Sequence, residues 1–143
     1  MKILFVCTGN TCRSPMAQAL ASQLLGEKYH VVSAGLMAMP NASASANAIA
    51  VMHEQQLDLI DHKAQLVTEK LLEEADLILT MTENHKGALI QAVPDKVYTL
   101  GEYAGCNTTI CDPFGRNLSE YKKCADEIYG LLLKIKDKIN LQI

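Results

Sequence analysis

The sequence has no long hydrophobic run and no cluster of basic residues. Its amino-terminal segment MKILFVC holds a short apolar stretch before polar residues begin, too short for a signal-peptide core or a membrane span. Lys and Arg number 13 against 16 Asp and Glu, which gives a formal charge of −3 and no electrostatic footprint for a nucleic-acid or membrane partner. We therefore expect a cytoplasmic protein that binds neither.

The cysteines lack the close pairing that structural zinc sites and disulfide frameworks need. They number five, an odd count, and no two of them form a CxxC pair. Both a four-ligand zinc site and a small disulfide-stapled fold depend on such spacings. The cysteines are therefore predicted to be free thiols.

The length and composition predict one globular domain. The chain has 143 residues, and 49% of them are hydrophobic, which is enough apolar material for a full core. No repeat or change of composition divides the sequence. Residues 1–143 are expected to form a single domain.

Four short apolar segments predict buried strands. Residues 3–6 are continuously apolar rather than alternating, which is typical of a strand covered on both faces in a parallel sheet. The other predicted strands are residues 30–34, 76–81 and 97–100.

Helical segments alternate with these strands. Pro15 suits the first position of a helix that Gly26 closes. Further helices are predicted at the end of a stretch over 37–47 that begins as a loop, near Thr68, over 85–92 and from an N-cap at Ser119, with a long loop over 101–117. This alternation predicts a doubly wound α/β fold of about four parallel strands, whose ligands bind at the carboxyl ends of the strands.

The loop after the first strand, CTGNTCRSP, has the composition of an anion site. A short loop that leads into a helix N-terminus offers several backbone N–H groups and the partial positive charge of the helix. Gly9 and Asn10 suit such a loop because both adopt positive φ more readily than other residues. Arg13 adds a planar fork that can hold two phosphate oxygens.

Cys7 stands at the start of this loop as a candidate nucleophile. The loop amides, Arg13 and the helix end would all stabilise its thiolate. Ser14 is placed to donate its hydroxyl to the sulfur. A buried structural thiol is the alternative, but the surrounding loop favours a nucleophile beneath a bound oxyanion. The loop lacks Gly-Lys-Ser/Thr, so it does not predict magnesium-dependent nucleotide hydrolysis.

The pattern Cys7-(x)5-Arg13-Ser14-Pro15 resembles the signature of the low-molecular-weight protein tyrosine phosphatases. Asp112-Pro113 matches the general-acid loop of that family, and the resemblance covers essentially the whole chain. It implies a flavodoxin-like sheet, no metal or other cofactor, and a phosphocysteine intermediate. Phosphorylated proteins would be the substrates, and inorganic phosphate a product.

The resemblance also implies a role for each site residue. Cys7 would attack phosphorus, Arg13 and the amides of the loop would hold the phosphoryl oxygens, and Asp112 would protonate the leaving group. Thr8, Gly9, Asn10, Thr11, Cys12, Ser14 and Phe114 complete the expected substrate-binding set.

Several residues have more than one interpretation. Cys12 is either a packing residue or a thiol that forms a regulatory disulfide with Cys7. His62 resembles a family histidine that supports the phosphate loop, although a surface position is equally consistent with the sequence. His30, His53 and His85 have no partner at ligand spacing and are interpreted as structural. Cys106, Cys111 and Cys124 are interpreted as incidental thiols.

Two other function classes compete with a phosphatase. Thiol-dependent arsenate reductases share the scaffold, but they carry two further cysteines near the middle of the chain, where this sequence has none between residues 13 and 105. A noncatalytic phosphate-binding or flavin-binding module is compatible with the fold alone. The combination of Cys7, Arg13 and Asp112 argues against mere binding, since binding needs neither a nucleophile nor an acid.

Thr11 and Phe114 bear on the substrate. Tyrosine-directed members of the family usually have a bulky aliphatic residue at the position of Thr11 and aromatic residues after Asp-Pro. The combination of CTGNTCRSP with DPFG instead looks like the bacterial protein arginine phosphatases. We therefore expect phosphoarginine as the substrate, with phosphotyrosine as the alternative.

Overall fold

The computed structural model describes residues 1–141 and contains a four-stranded, all-parallel sheet. The strands are β1 (Lys2–Cys7), β2 (His30–Gly35), β3 (Leu77–Thr80) and β4 (Val97–Thr99), in the spatial order β2-β1-β3-β4. The predicted parallel α/β sheet is confirmed, and the strand order is that of a flavodoxin-like sheet.

Six helices connect and cover the strands in the described part of the chain. They are α1 (Arg13–Leu25), α2 (Ala46–Glu54), α3 (Glu69–Glu74), α4 (Glu83–Leu89), α5 (Leu100–Tyr103) and α6 (Leu118–Leu141). None of these helices is both long and apolar enough to cross a membrane.

The sheet has a hydrophobic core on each face because successive side chains of β1 point to opposite sides. Ile3 and Phe5 pack with α1, α2, α5 and α6 on one face, whereas Leu4 and Val6 pack with α3 and α4 on the other. All four side chains are fully buried. The continuous apolar run of β1 therefore reflects a strand covered on both sides, as the sequence predicts.

Several predicted boundaries are wrong, among them those of α4, which spans Glu83–Leu89 rather than 85–92. Helix α1 begins at Arg13, so Pro15 is its third residue, still within the first turn where a missing N–H breaks no helical hydrogen bond. The residue that caps α6 is Asn117 rather than Ser119, because the Asn117 side chain accepts a hydrogen bond from the Glu120 N–H at 3.1 Å. Asn and Ser cap helices about equally well, so their order along the chain decides which one starts the helix.

The predicted long loop starts later than expected because of α5. Thr99 and Glu102 form a reciprocal capping box at its N-terminus. Gly101 does not break this helix but allows another segment to approach, since a Cβ there would lie 2.2 Å from the Thr108 carbonyl oxygen. Short helices with a glycine are easily taken for loops in a sequence.

Candidate active site

The predicted site residues meet at the carboxyl end of β1, where the chain turns into α1. They surround a cavity of about 210 Å³ that is lined by Cys7, Thr8, Gly9, Thr11, Cys12, Arg13, Asp112 and Phe114. The two remaining predicted residues, Asn10 and Ser14, are fully buried beneath the loop. The structure therefore brings together residues that are about a hundred positions apart in the sequence.

A chain of hydrogen bonds leads from Asn10 through Ser14 to the Cys7 sulfur. Asn10 Nδ2 donates to Ser14 Oγ at 2.8 Å, and Ser14 Oγ lies 2.9 Å from Cys7 Sγ. The Ser14 hydroxyl donates to the sulfur when Cys7 is a thiolate, because a thiolate can only accept a hydrogen bond. Such a hydrogen bond stabilises the sulfur when it departs from phosphorus as a thiolate.

Asn10 holds the shape of the loop. Its φ of +57° is in the left-handed region, and the buried side chain makes bonds beyond the loop. Nδ2 also donates to Ser33 Oγ at 2.9 Å, and Oδ1 accepts from the Gln65 N–H at 3.0 Å. Asn tolerates this backbone conformation better than most residues, so the sequence carries both the turn and its support.

We expect Asn10→Ala to lower the free energy of unfolding by about 3 kcal/mol, because it strands buried polar partners and adds backbone strain. Urea unfolding measures the loss. Asn41→Ala is the matched control, since Asn41 also has a positive φ of 69° but is exposed. Equal losses in the two variants would show that the backbone conformation alone matters and that the side-chain bonds of Asn10 contribute nothing.

Two further residues support the loop from below. His62 Nε2 lies 2.8 Å from the Asn10 carbonyl oxygen, and since a carbonyl only accepts, the imidazole donates. This contact favours the supporting interpretation of His62 over a free surface position. Gly35 lies so close that a Cβ there would be 2.5 Å from the Thr8 carbonyl oxygen. A side chain at this position would push the loop out of place.

Arg13 places a buried positive charge at the cavity. Its Nη1 donates to the Ile110 carbonyl at 2.9 Å, and its Nη2 lies 3.6 Å from Asp112 Oδ2. Helix α1 has no side-chain cap and no acidic residue in its first turn. The N–H groups of that turn have no acceptor within the helix, so they and the guanidinium favour an anion here.

Asp112 stands at the mouth of the cavity. Its side chain is 51% exposed, whereas that of Arg13 is 5% exposed. Asp112 Oδ1 accepts a hydrogen bond from the Phe114 N–H at 3.0 Å, and the Phe114 ring is exposed beside it. The carboxyl group is thus held by its own loop and is open to a group that enters from solvent.

The second thiol of the loop contacts three hydroxyl groups, of which Thr11 Oγ1 lies 3.7 Å from Cys12 Sγ. Cys12 Sγ lies 3.2 Å from Tyr121 Oη and donates to Ser45 Oγ at 3.5 Å. Burial, and next the contact with Cys12, raise the pKa of Tyr121 to about 12, so this phenol stays protonated. The described cysteines are all unpaired, and a disulfide between Cys7 and Cys12 stays a prediction.

The other cysteines do not line this cavity, although Cys111 directly precedes Asp112. Cys124 is buried, and burial is the main cause that raises its pKa to about 12, which keeps the thiol protonated and unreactive. Cys106 is half-buried with Lys134 Nζ 3.1 Å from its sulfur. Among residues 1–141, no group of three or more His, Cys, Asp or Glu is arranged to hold a metal ion.

His85 is a site neighbour that the sequence interpretation missed. Its Nε2 lies 2.9 Å from Thr8 Oγ1, and its ring lines a second cavity of about 440 Å³ that shares Thr8, Arg13 and Asp112 with the first. A usable signal was present: His85 is in the first turn of the helix after β3, at the ligand-binding edge of the sheet. The sequence around this histidine, between Asn84 and Lys86, gave no other reason to single it out.

Comparison with known proteins identifies close relatives over nearly the whole chain. A sequence model of the family described as low molecular weight phosphotyrosine protein phosphatase matches residues 2–142. The protein-arginine-phosphatase of Bacillus subtilis is 41% identical, and the match covers 97% of each chain. The low molecular weight protein-tyrosine-phosphatase PtpB of Staphylococcus epidermidis is 38% identical, with 96% of this chain and 99% of the relative covered.

A solved structure supports the same grouping. It is described as the YwlE arginine phosphatase, with serine in place of the active-site cysteine and a phosphoryl group on that serine. It is 40% identical, has a TM-score of 0.92 and covers 98% of this chain and 96% of its own. The relatives thus include proteins named for arginine and for tyrosine at almost equal identity.

Proposed function

The chain belongs to the low molecular weight phosphotyrosine protein phosphatase family and is a phosphoprotein phosphatase; within that class, we propose that it is a single-domain enzyme that hydrolyses protein phosphoarginine. Phosphorylated proteins are its substrates, and inorganic phosphate is released. The enzyme uses Cys7 as its nucleophile, and its cavity favours a guanidinium leaving group.

In the first step, the Cys7 thiolate attacks phosphorus and the bond from phosphorus to the guanidino nitrogen breaks. The electron pair of that bond stays on the nitrogen, which takes a proton from Asp112. Asp112 is suited to this role because its carboxyl group is half-exposed at the mouth of the cavity that contains Cys7. The products of this step are a phosphocysteine and an unphosphorylated arginine side chain.

In the second step, water attacks the phosphocysteine while the Asp112 carboxylate takes its proton. The bond from sulfur to phosphorus breaks, and the electron pair returns to Cys7 Sγ. The Ser14 hydroxyl, whose oxygen lies 2.9 Å from Cys7 Sγ, stabilises the departing thiolate by donating a hydrogen bond to it. Release of inorganic phosphate regenerates the free enzyme.

Charge on the phosphoryl oxygens is stabilised by groups that the fold holds rigid. The hydrogen bonds of Asn10 hold the loop in place, and the Arg13 guanidinium is anchored on the Ile110 carbonyl. Groups that are already oriented need no reorganisation when charge moves, so they stabilise the transition state most strongly.

The observation that carries the substrate proposal is Thr11 in the cavity lining. A threonine hydroxyl can hydrogen-bond near the transferring phosphoryl group or the attacking water, whereas an aliphatic side chain there only fills space. A guanidinium leaving group is cationic, and Asp112 offers it a charge-assisted hydrogen bond. Phe114 supports either substrate, since its exposed ring can flank a guanidinium or a phenyl group.

We expect Thr11→Ile to move substrate preference from phosphoarginine toward phosphotyrosine, changing the ratio of the two kcat/KM values by at least about tenfold. The measurement compares matched phosphoarginine and phosphotyrosine peptides on wild type and variant. Thr108→Ile is the control, because Thr108 is exposed and does not line the catalytic cavity.

The wild type decides the substrate proposal by itself. A wild-type enzyme that prefers phosphotyrosine would place this protein with the tyrosine phosphatases and leave the Cys7 mechanism standing. Absence of turnover on both peptides and on para-nitrophenyl phosphate would favour a binding module. Consumption of thiol reductant on arsenate would favour the reductase alternative.

A further inference from the structure

His85 is buried beside the catalytic cavity, and only one of its nitrogens has a partner. The residue is 6% exposed, and its Nε2 lies 2.9 Å from Thr8 Oγ1. Its Nδ1 is the only buried side-chain nitrogen or oxygen without a hydrogen-bond partner among the described residues. Burial of a polar atom without a hydrogen-bond partner destabilises the folded chain, so the position of His85 Nδ1 calls for an explanation.

The imidazole of His85 is neutral. Burial is the main cause that lowers the pKa of His85 to about 4, the positive charge of Arg13 lowers it further, and Asp112 partly opposes both. A neutral ring carries one N–H, on either Nδ1 or Nε2. With Nδ1 buried and unpartnered, a proton there would be an orphaned donor, which folded proteins avoid more strictly than an unused acceptor. The proton therefore belongs on Nε2.

This tautomer sets the direction of the hydrogen bond to Thr8. Nε2–H donates and Thr8 Oγ1 accepts, so the Thr8 hydroxyl hydrogen is not used by His85. Thr8 directly follows Cys7, is exposed, and lines the catalytic cavity as well as the cavity that contains His85. Its hydroxyl is therefore available to a group bound in the catalytic cavity.

We propose that His85 is a positioning residue that, by donating to Thr8, directs the Thr8 hydroxyl to donate to a phosphoryl oxygen of the bound substrate. The inference rests on the proposed phosphatase function and adds a donor to its oxyanion site. A protonated imidazole next to the buried Arg13 guanidinium would leave two positive charges side by side. The neutral ring supplies the donor without that repulsion.

A double-mutant cycle tests the coupling of the two side chains. His85→Leu removes the donor, Thr8→Val removes the hydroxyl, and the double variant removes both. Since a hydrogen bond to a charged oxygen is lost in each case, each single variant should lower kcat/KM for para-nitrophenyl phosphate about tenfold. The double variant should lose no more than either single one, because the two side chains act through one bond.

Two controls separate positioning from a purely structural role. His85→Gln keeps an amide N–H near the place of Nε2 and should recover most of the activity lost in His85→Leu. The unfolding midpoint of His85→Leu should equal or exceed that of the wild type, because the unpartnered Nδ1 is gone. His53→Leu, at an exposed histidine on α2, should change neither activity nor stability.

The four proteins of the cycle, which are the wild type, the two single variants and the double variant, are also titrated with inorganic phosphate by calorimetry. This measurement of affinity needs no turnover. Additive losses in the cycle, or loss of activity that follows loss of stability, would overturn the role of His85. A substrate preference for phosphotyrosine overturns the proposed substrate but leaves this cycle intact. A protein without any turnover overturns the proposed function, and phosphate affinity then decides whether Thr8 and His85 are coupled.

Discussion

Cys7→Ser is expected to lower phosphatase turnover by at least about a thousandfold while the fold stays intact. A serine hydroxyl is far less ionised than a thiol at neutral pH, so attack on phosphorus slows even though the side chain occupies similar space. The loop amides and Arg13 are unchanged, so the affinity for inorganic phosphate should stay close to that of the wild type. Steady-state kinetics and calorimetric titration measure the two effects.

The serine variant also offers a direct test of the covalent intermediate. A related arginine phosphatase with serine at its active-site cysteine has been seen with that serine phosphorylated. Long incubation of Cys7→Ser with a phosphoarginine protein should therefore trap a phosphoserine, visible by mass spectrometry as one added phosphoryl group. The thiolate leaves more readily than an alkoxide, which is why the serine adduct should persist.

Cys106→Ser is the matched control for this experiment. Cys106 is half-buried, contacts Lys134 and does not line the catalytic cavity, so its replacement should leave turnover unchanged. If Cys7→Ser kept even about a tenth of wild-type turnover, catalysis would not depend on the Cys7 thiol, and the cysteine-based mechanism would be wrong.

Asp112→Asn is expected to slow substrates with basic leaving groups by a factor on the order of 10² to 10³, but para-nitrophenyl phosphate much less. Only a poor leaving group needs a proton from the enzyme as its bond to phosphorus breaks. Asp112 Oδ1 accepts a hydrogen bond from the Phe114 N–H at 3.0 Å. The side-chain oxygen of asparagine can accept the same hydrogen bond, so the loop should hold its shape. The measurement is kcat/KM across aryl phosphates of rising leaving-group pKa.

The control for this prediction is Asp95→Asn, an exposed carboxylate at a groove outside the catalytic cavity. Asp112 Oδ2 also lies 3.6 Å from Arg13 Nη2. Because the Asp112 side chain is half-exposed, the attraction between these two charges is weak. Equal slowing for good and poor leaving groups would show that Asp112 is not the general acid. The slowing would then come only from the loss of a negative charge at the cavity.

The core strands illustrate what sequence periodicity can and cannot predict. Residues 3–6 are predicted as a strand and lie within β1, because an unbroken apolar run suits a strand that is covered on both faces. Boundaries are less predictable, since Asn117 and Ser119 are both good helix caps and only the hydrogen bond to Glu120 shows which one is used. Helix α5 was missed because its Gly101 is typical of loops, although Thr99 and Glu102 have capping-box spacing.

The sequence by itself determined the phosphate loop. Cys7, Asn10, Arg13 and Ser14 are close neighbours in the chain, so their proximity follows from their spacing, and local preferences favour the positive φ at Asn10 and the helix that starts at Arg13. Side chains this close in sequence can be assigned roles before any long-range contact is known.

Only the tertiary structure decided what surrounds the loop. The contact of His85 with Thr8 spans 77 residues, and that of Arg13 with the Ile110 carbonyl spans 97. The first exists because β3 lies beside β1, which brings the segments after these parallel strands to one edge of the sheet. The second exists because the loop after α5 returns to this edge, where the Ile110 N–H donates to the Met81 carbonyl at 3.2 Å. Strand order depends on how whole elements pack, and no periodicity within a single segment encodes it.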